Sequence, residues 1–118
     1  MLYLPRLLDA VIFVAKYNPS DEVREYATIV LMNLAYSEFN KIFMAFQEKL
    51  LDVLIQLVTN ESTYTRRYAS DTIFTLACVE SNTVRIARYS QGEIFATLTH
   101  LLINDQVEEV IIPLLDLL

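Results

Sequence analysis

The sequence predicts an all-α fold in which one helical unit recurs, and three observations carry that expectation. Of 118 residues, one is Gly and three are Pro, so the tight turns that an all-β chain would need are missing. The apolar content of 54 % supplies a packed core, and the length suits a single domain. The third observation is an echo: EYATIVLMNLA at residues 25–35 returns as RYASDTIFTLA at 67–77. Sliding the chain by 42 places Tyr26, Ala27, Leu34, Ala35, Glu38, Asn40 and Ala45 on Tyr68, Ala69, Leu76, Ala77, Glu80, Asn82 and Ala87. These are seven identities in twenty positions, where ordinary residue frequencies give roughly one or two.

The elements follow in order. LLDAVIFVA at residues 7–15 recurs as LLDVLIQLV at 50–58 and as IFATLTHLL at 94–102. In the middle copy Leu50, Leu54, Leu57 and Val58 fall at i, i+4, i+7 and i+8, one apolar stripe of a helix. Each copy runs into a polar patch: Asn18-Pro19-Ser20-Asp21, Asn60-Glu61-Ser62-Thr63 and Asn104-Asp105. Side-chain oxygens of this kind accept the orphan N–H groups of a helix's first turn, so each patch predicts a helix start. The helix after the patch is the long one, roughly fifteen residues by its periodicity, with Ala27, Val30, Leu31 and Leu34 expected in the core. A short third helix follows, as FNKIFMAFQE or SNTVRIARYSQ. Near the C-terminus, Val110, Ile111, Ile112, Leu114, Leu115, Leu117 and Leu118 predict a helix apolar nearly all round, which Pro113 either kinks or opens.

A three-helix unit of this length resembles the armadillo repeat. The resemblance sits in DEVREYATIVLMNLA, where an acidic start leads to a small residue, a Leu and an Asn-Leu ending; Ala27, Leu31, Asn33 and Leu34 occupy those positions. Gly92 stands where that family places a Gly between its short first helix and its second, whereas the preceding copy has Glu48. HEAT repeats have two helices per unit and would leave 39–48 and 81–91 unexplained. The resemblance implies an armadillo-type α-solenoid, a right-handed superhelix of about two and a half stacked three-helix repeats. Its units would be 1–38, 39–80 and 81–118, forming one domain or a fragment of a longer array. It also implies a groove lined by the long third helices, in which an extended peptide is held by side chains one turn apart. The backbone-gripping Asn of that family corresponds to Asn33, with Thr75 and Leu117 at the next two positions. The Trp of its import receptors corresponds to Ile29, Asp71 and Pro113, and the chain has no Trp.

Helical spacing alone places Glu25, Ile29, Asn33 and Tyr36 along one side of a helix, and Arg67, Asp71 and Thr75 along the next. These seven are the candidate partner-binding residues. An amide such as Asn33 donates and accepts at once, which suits an extended backbone, or a bond to local backbone. Arg67 and Asp71 also fit an i, i+4 pair on a solvated face. Tyr26 and Tyr68 are expected to pack between units, and Arg85 and Arg88 to lie on a solvated helix face.

A net charge of −6 disfavours nucleic acid, which needs a basic face to displace counterions, and favours a protein or peptide partner of basic character. Residues 93–118 hold Glu93, Asp105, Glu108, Glu109 and Asp116 without a Lys or Arg, whereas Arg66, Arg67, Arg85 and Arg88 make 66–88 locally basic. Cys78 and His100 are the only residues of their types, which excludes an internal disulfide framework and a zinc site and points to a reducing compartment, cytoplasm or nucleus. Asp9 interrupts the apolar opening, so no cleaved leader is expected, and no apolar run reaches bilayer length. His100 has no nucleophile partner and aligns with Gln56. A single Gly cannot build a phosphate loop, and neither cofactor nor metal is expected. The expected function is therefore a non-enzymatic interaction module or scaffold. The alternative is an assembly element that forms homo-oligomers through residues 110–118.

Overall fold

The computed structural model describes residues 4–104; the expected apolar helix at 110–118, with Pro113 and Leu117, lies outside that range. Seven α-helices fill the described residues: α1 (Leu4–Tyr17), α2 (Asp21–Ala35), α3 (Glu38–Ala45), α4 (Glu48–Leu57), α5 (Thr63–Ala77), α6 (Glu80–Arg88) and α7 (Glu93–Asn104). A 3-10 segment at Tyr89–Gly92 joins α6 to α7. No strand occurs among these residues.

The two long helices start alike because the polar patches before them are alike. Ser20 Oγ accepts the Val23 N–H at 3.3 Å, and Ser62 Oγ accepts the Thr65 N–H at 3.4 Å. One step earlier, Asn18 Oδ1 accepts from the Ser20 N–H and Asn60 Oδ1 from the Ser62 N–H, each at 2.9 Å. Arg24 and Arg66 then reach back to the carbonyls of Asn18 and Asn60, at 2.6 and 3.0 Å. The repeat thus extends upstream of Tyr26, as Asn18, Ser20 and Arg24 on Asn60, Ser62 and Arg66.

Equivalent helices pack on one another: α2 on α5, α3 on α6, and α4 between α1 and α7. The core runs continuously through these layers, with Leu8, Leu31, Met44, Leu50, Leu54, Ile73, Leu76, Ile94 and Leu98 essentially without exposed surface. Stacked units of this kind bury their apolar faces only against neighbours. Two buried asparagines fix the joints. Asn40 Nδ2 donates to the Leu34 carbonyl at 2.9 Å, satisfying the C-terminal end of α2. Asn82 Nδ2 makes the equivalent bond to Leu76 at 3.0 Å and a second, also 3.0 Å, to Lys41 of α3.

Val30 departs from the expected core: it is 39 % exposed, and Leu34 is only partly buried. Its counterpart Thr72 is completely buried. The difference follows from position in the stack, since α5 has α2 alongside it, while no described helix covers the corresponding flank of α2. Tyr26 is exposed for the same reason, against the expectation that it packs between units, whereas Tyr68 is partly buried. Val11, Val14, Val23, Tyr26 and Val30 consequently line an open apolar groove of about 290 Å³ between α1 and α2.

Spacing between units is not uniform. α5 begins 42 residues after α2 and α6 42 after α3, but α7 begins 45 after α4. The extra residues enter a left-handed turn, with φ of 49° at Ser90, 59° at Gln91 and 82° at Gly92. Gly is the residue that adopts this region without a Cβ penalty. At the earlier joint Gln47 is extended (φ −88°, ψ 103°) and Glu48 begins α4 directly, so no Gly is required there.

Candidate functional site

α2 packs along α5, and two hydrogen bonds cross the seam between them. At one end the Ser62 hydroxyl, already capping α5, donates to Glu25 Oε2 at 3.3 Å. At the other, the Tyr36 hydroxyl donates to Asp71 Oδ2 at 2.5 Å. Ile29 lies between them, partly buried, and Asn33 is exposed one turn from it.

The hydrogen bond to Asp71 is the main reason that the Tyr36 phenol is pushed up to about 12; partial burial and the carboxylate's charge add to it, and Arg67 opposes it. Ionised phenolate would lose the donated proton and face a carboxylate, so the neutral form is favoured. Tyr36 is therefore a fixed donor at any physiological pH. Among the described residues only Asp71 Oδ2 takes a hydrogen bond, and Oδ1 takes none. Arg67 is exposed, with its guanidinium 5.7 Å from the Tyr68 ring and no ion pair to Asp71. The expected i, i+4 pair is replaced by a bond between units.

Thr75 does not share this openness: it is 6 % exposed and belongs to the packing. The seam thus offers Asn33, Arg67 and one side of the partly buried Asp71 to solvent, with Tyr36, itself exposed, tying the two helices together. An amide, a guanidinium and a half-used carboxylate can together meet carbonyls, N–H groups and a cation of an extended chain.

Sequence reasoning missed two further inter-unit devices. Arg85, expected on a solvated face, turns inward: Nε donates to the Ala45 carbonyl at 2.8 Å and a terminal nitrogen to Phe46 at 3.3 Å. Its guanidinium lies 4.0 Å from the Phe46 ring centroid. It caps the C-terminal end of α3 from the next unit, where a cation suits the helix dipole. Tyr89 donates to Asp52 Oδ1 at 2.6 Å. Burial first, then that bond and the charges of Asp52, Glu48 and Glu93, push its phenol up to about 12. The only available signal was an Arg and a Tyr following an aromatic segment about one repeat upstream.

His100 is exposed, beside Asn104, and Cys78 is an exposed free thiol. Among the described residues no group of three His, Cys, Asp or Glu side chains could hold a metal ion, and no helix is long and apolar enough to cross a membrane. The chain matches no protein-family model, no curated protein and no solved structure.

Proposed function

We propose that this chain is a non-enzymatic, protein-binding stack of armadillo type, a right-handed solenoid whose α2–α5 face takes an extended segment of another protein. The observation that carries the reading is the seam itself: like helices stack on like, Tyr36 is bonded to Asp71 across them, and Asn33 and Arg67 are exposed on the same two helices. Because the seam is bonded before any partner arrives, little ordering is required on this side of the interface. The net charge of −6 favours approach of a basic segment, and Asp71 offers its free oxygen to one cation of that segment. A reducing compartment, cytoplasm or nucleus, suits the free Cys78.

The test is titration of a labelled, extended Lys-containing peptide against the protein and an Asn33→Ala/Asp71→Asn variant. Asn at 71 keeps an acceptor for Tyr36 while removing the charge, so the stack stays intact. We expect affinity to fall roughly tenfold or more, as for loss of central polar contacts. Unchanged affinity in a variant with unchanged circular dichroism refutes this placement.

An assembly role is the second reading, favoured by the open apolar groove between α1 and α2. Sedimentation of the wild-type chain and of a Val23→Ser/Val30→Ser variant separates the two readings: loss of self-association only in the variant supports assembly.

A further inference from the structure

Exposed apolar side chains in a stack have two origins, and the repeat distinguishes them. Where the equivalent residue one unit later is buried, exposure reflects only the end of the described stack, as for Val30 against Thr72. Where the equivalent residue is exposed as well, the position faces solvent in both described units. Phe39 and Ile42 of α3, and Phe46 directly after it, belong to the second kind. Their counterparts Ser81, Val84 and Arg88 in α6 are all exposed even though α3 lies alongside. The chain nevertheless places two phenylalanines and an isoleucine there, and Phe39 is 87 % exposed.

The three fall at i, i+3 and i+7, one stripe spanning about 10 Å of helix, and Val84 extends the apolar surface onto α6. At the Phe46 end the stripe meets cations. Arg85 lies over the Phe46 ring, and Arg85, Arg88 and Val84 line a cleft of about 580 Å³ in which Glu48 is the one carboxylate among the described residues. Among the described residues the Arg88 guanidinium has no ion pair or hydrogen bond, whereas Arg85 is held by backbone carbonyls. A surface two helices wide, apolar along its length and cationic at one end, fits an amphipathic helix laid along it, and contiguous exposed apolar area of this kind marks an interaction site.

We propose that the α3–α6 face, from Phe39 to Arg88, docks an amphipathic helix of a partner protein that carries apolar anchors at i, i+3 or i+4 and i+7 and a cluster of acidic residues at one end. This surface is separate from the α2–α5 seam and requires nothing to be bound there.

The experiment is a fluorescence-anisotropy titration with three synthetic peptides: an amphipathic helix with Leu anchors and a terminal Glu run, the same peptide with Lys for Glu, and a scrambled sequence of the first. The expected result is selective binding of the Glu peptide, weakened roughly tenfold by Phe39→Ser, the residue already present at the equivalent position 81, as for loss of an aromatic anchor. Arg88→Glu should invert the preference, so that the Lys peptide binds better. Both sites are exposed, and circular dichroism with thermal unfolding checks that each variant is folded. No binding of the Glu peptide, equal binding of the scrambled one, or unchanged preference in Arg88→Glu overturns the proposal. So does a concentration-dependent dimer abolished by Phe39→Ser, which makes the occupant a second copy. Retained Glu-peptide affinity in Asn33→Ala/Asp71→Asn is expected, so this proposal and the groove reading fail separately.

Discussion

Replacing Asn82 by Ala should cost more stability than the same change at Asn40, although the two residues occupy one place in the repeat. Both side chains are buried and both end a long helix by donating to its carbonyl, at 2.9 Å from Asn40 to Leu34 and 3.0 Å from Asn82 to Leu76. Asn82 alone makes a second bond, to Lys41 in the preceding unit. A buried neutral hydrogen bond contributes about 1 kcal/mol net, and the space left by truncating a buried side chain costs about 1 kcal/mol more when the surroundings relax partly. Asn40→Ala should therefore lose about 2 kcal/mol and Asn82→Ala about 3 kcal/mol. Each asparagine also has a buried Oδ1 that accepts no bond among the described residues; its removal acts similarly in both variants and largely cancels in the comparison. Against the roughly 5–15 kcal/mol that stabilises a domain, either loss is readily measured. The assay is urea unfolding followed by circular dichroism, with the slope held common if it is unchanged. Equal losses, or a larger loss at Asn40, would show that the bond to Lys41 does not tie α6 to α3 and refute the account of the joint.

Other consequences can be checked with the same equipment. Arg85→Ala should cost about 1–2 kcal/mol, because two carbonyl bonds and the contact with the Phe46 ring are lost together; Arg85→Lys should recover little, since an ammonium cannot reproduce the planar fork. In an alkaline absorbance titration Tyr36 and Tyr89 should ionise near pH 12, and Tyr36→Phe should remove one of these two late steps. The sign is set by phenols whose folded pKa lies above the ordinary 10: their stabilisation is complete below pH 10 and disappears between 10 and about 12. Tyr36 is about half exposed, so solvent screening keeps the energetic effect small. Gly92→Ala should destabilise by about 1 kcal/mol through its φ of +82°, not through a clash, since an added Cβ would meet only the Ala87 carbonyl at 3.8 Å. Thermal unfolding measures it, and an unchanged midpoint would contradict the strained turn.

Local chemistry was legible in the sequence wherever a residue acts on its own helix. The apolar stripe of LLDVLIQLV became the buried face of α4, and the polar patches became the caps at Ser20 and Ser62. What the periodicity could not convey was which flank of a helix a neighbour covers. Val30 and Thr72 have the same phase, but one is exposed and the other buried, because cover comes from a chain segment about 42 residues away. The same distance hid Arg85: charge placed it in solvent, while its partners are carbonyls of the preceding unit. Asn40 and Asn82 were visible as an identity without a role. A polar residue kept in phase within an apolar helix is the signal that it bonds backbone inside the core. Of the candidate site, spacing placed Tyr36 and Asp71 on facing helices, but the bond between them depends on the lateral offset of α2 and α5, which no local pattern records.

The flank of α2 that lies open has a consequence for how such a stack can grow. A copy of residues 21–62 inserted after residue 62 would set Val23, Tyr26, Val30 and Asn33 against the existing α2, in the places that Thr65, Tyr68, Thr72 and Thr75 now fill beside it. Val and Thr have nearly the same shape, and the tyrosine is common to both. Asn33 in the place of Thr75 is the one exchange among the four that brings an amide into a site 6 % open to water. Outside those four, Ile29 would stand in the place of Asp71 and Phe43 in that of Arg85, so a duplicated unit fits the apolar packing but must regain the bonds that tie neighbouring units.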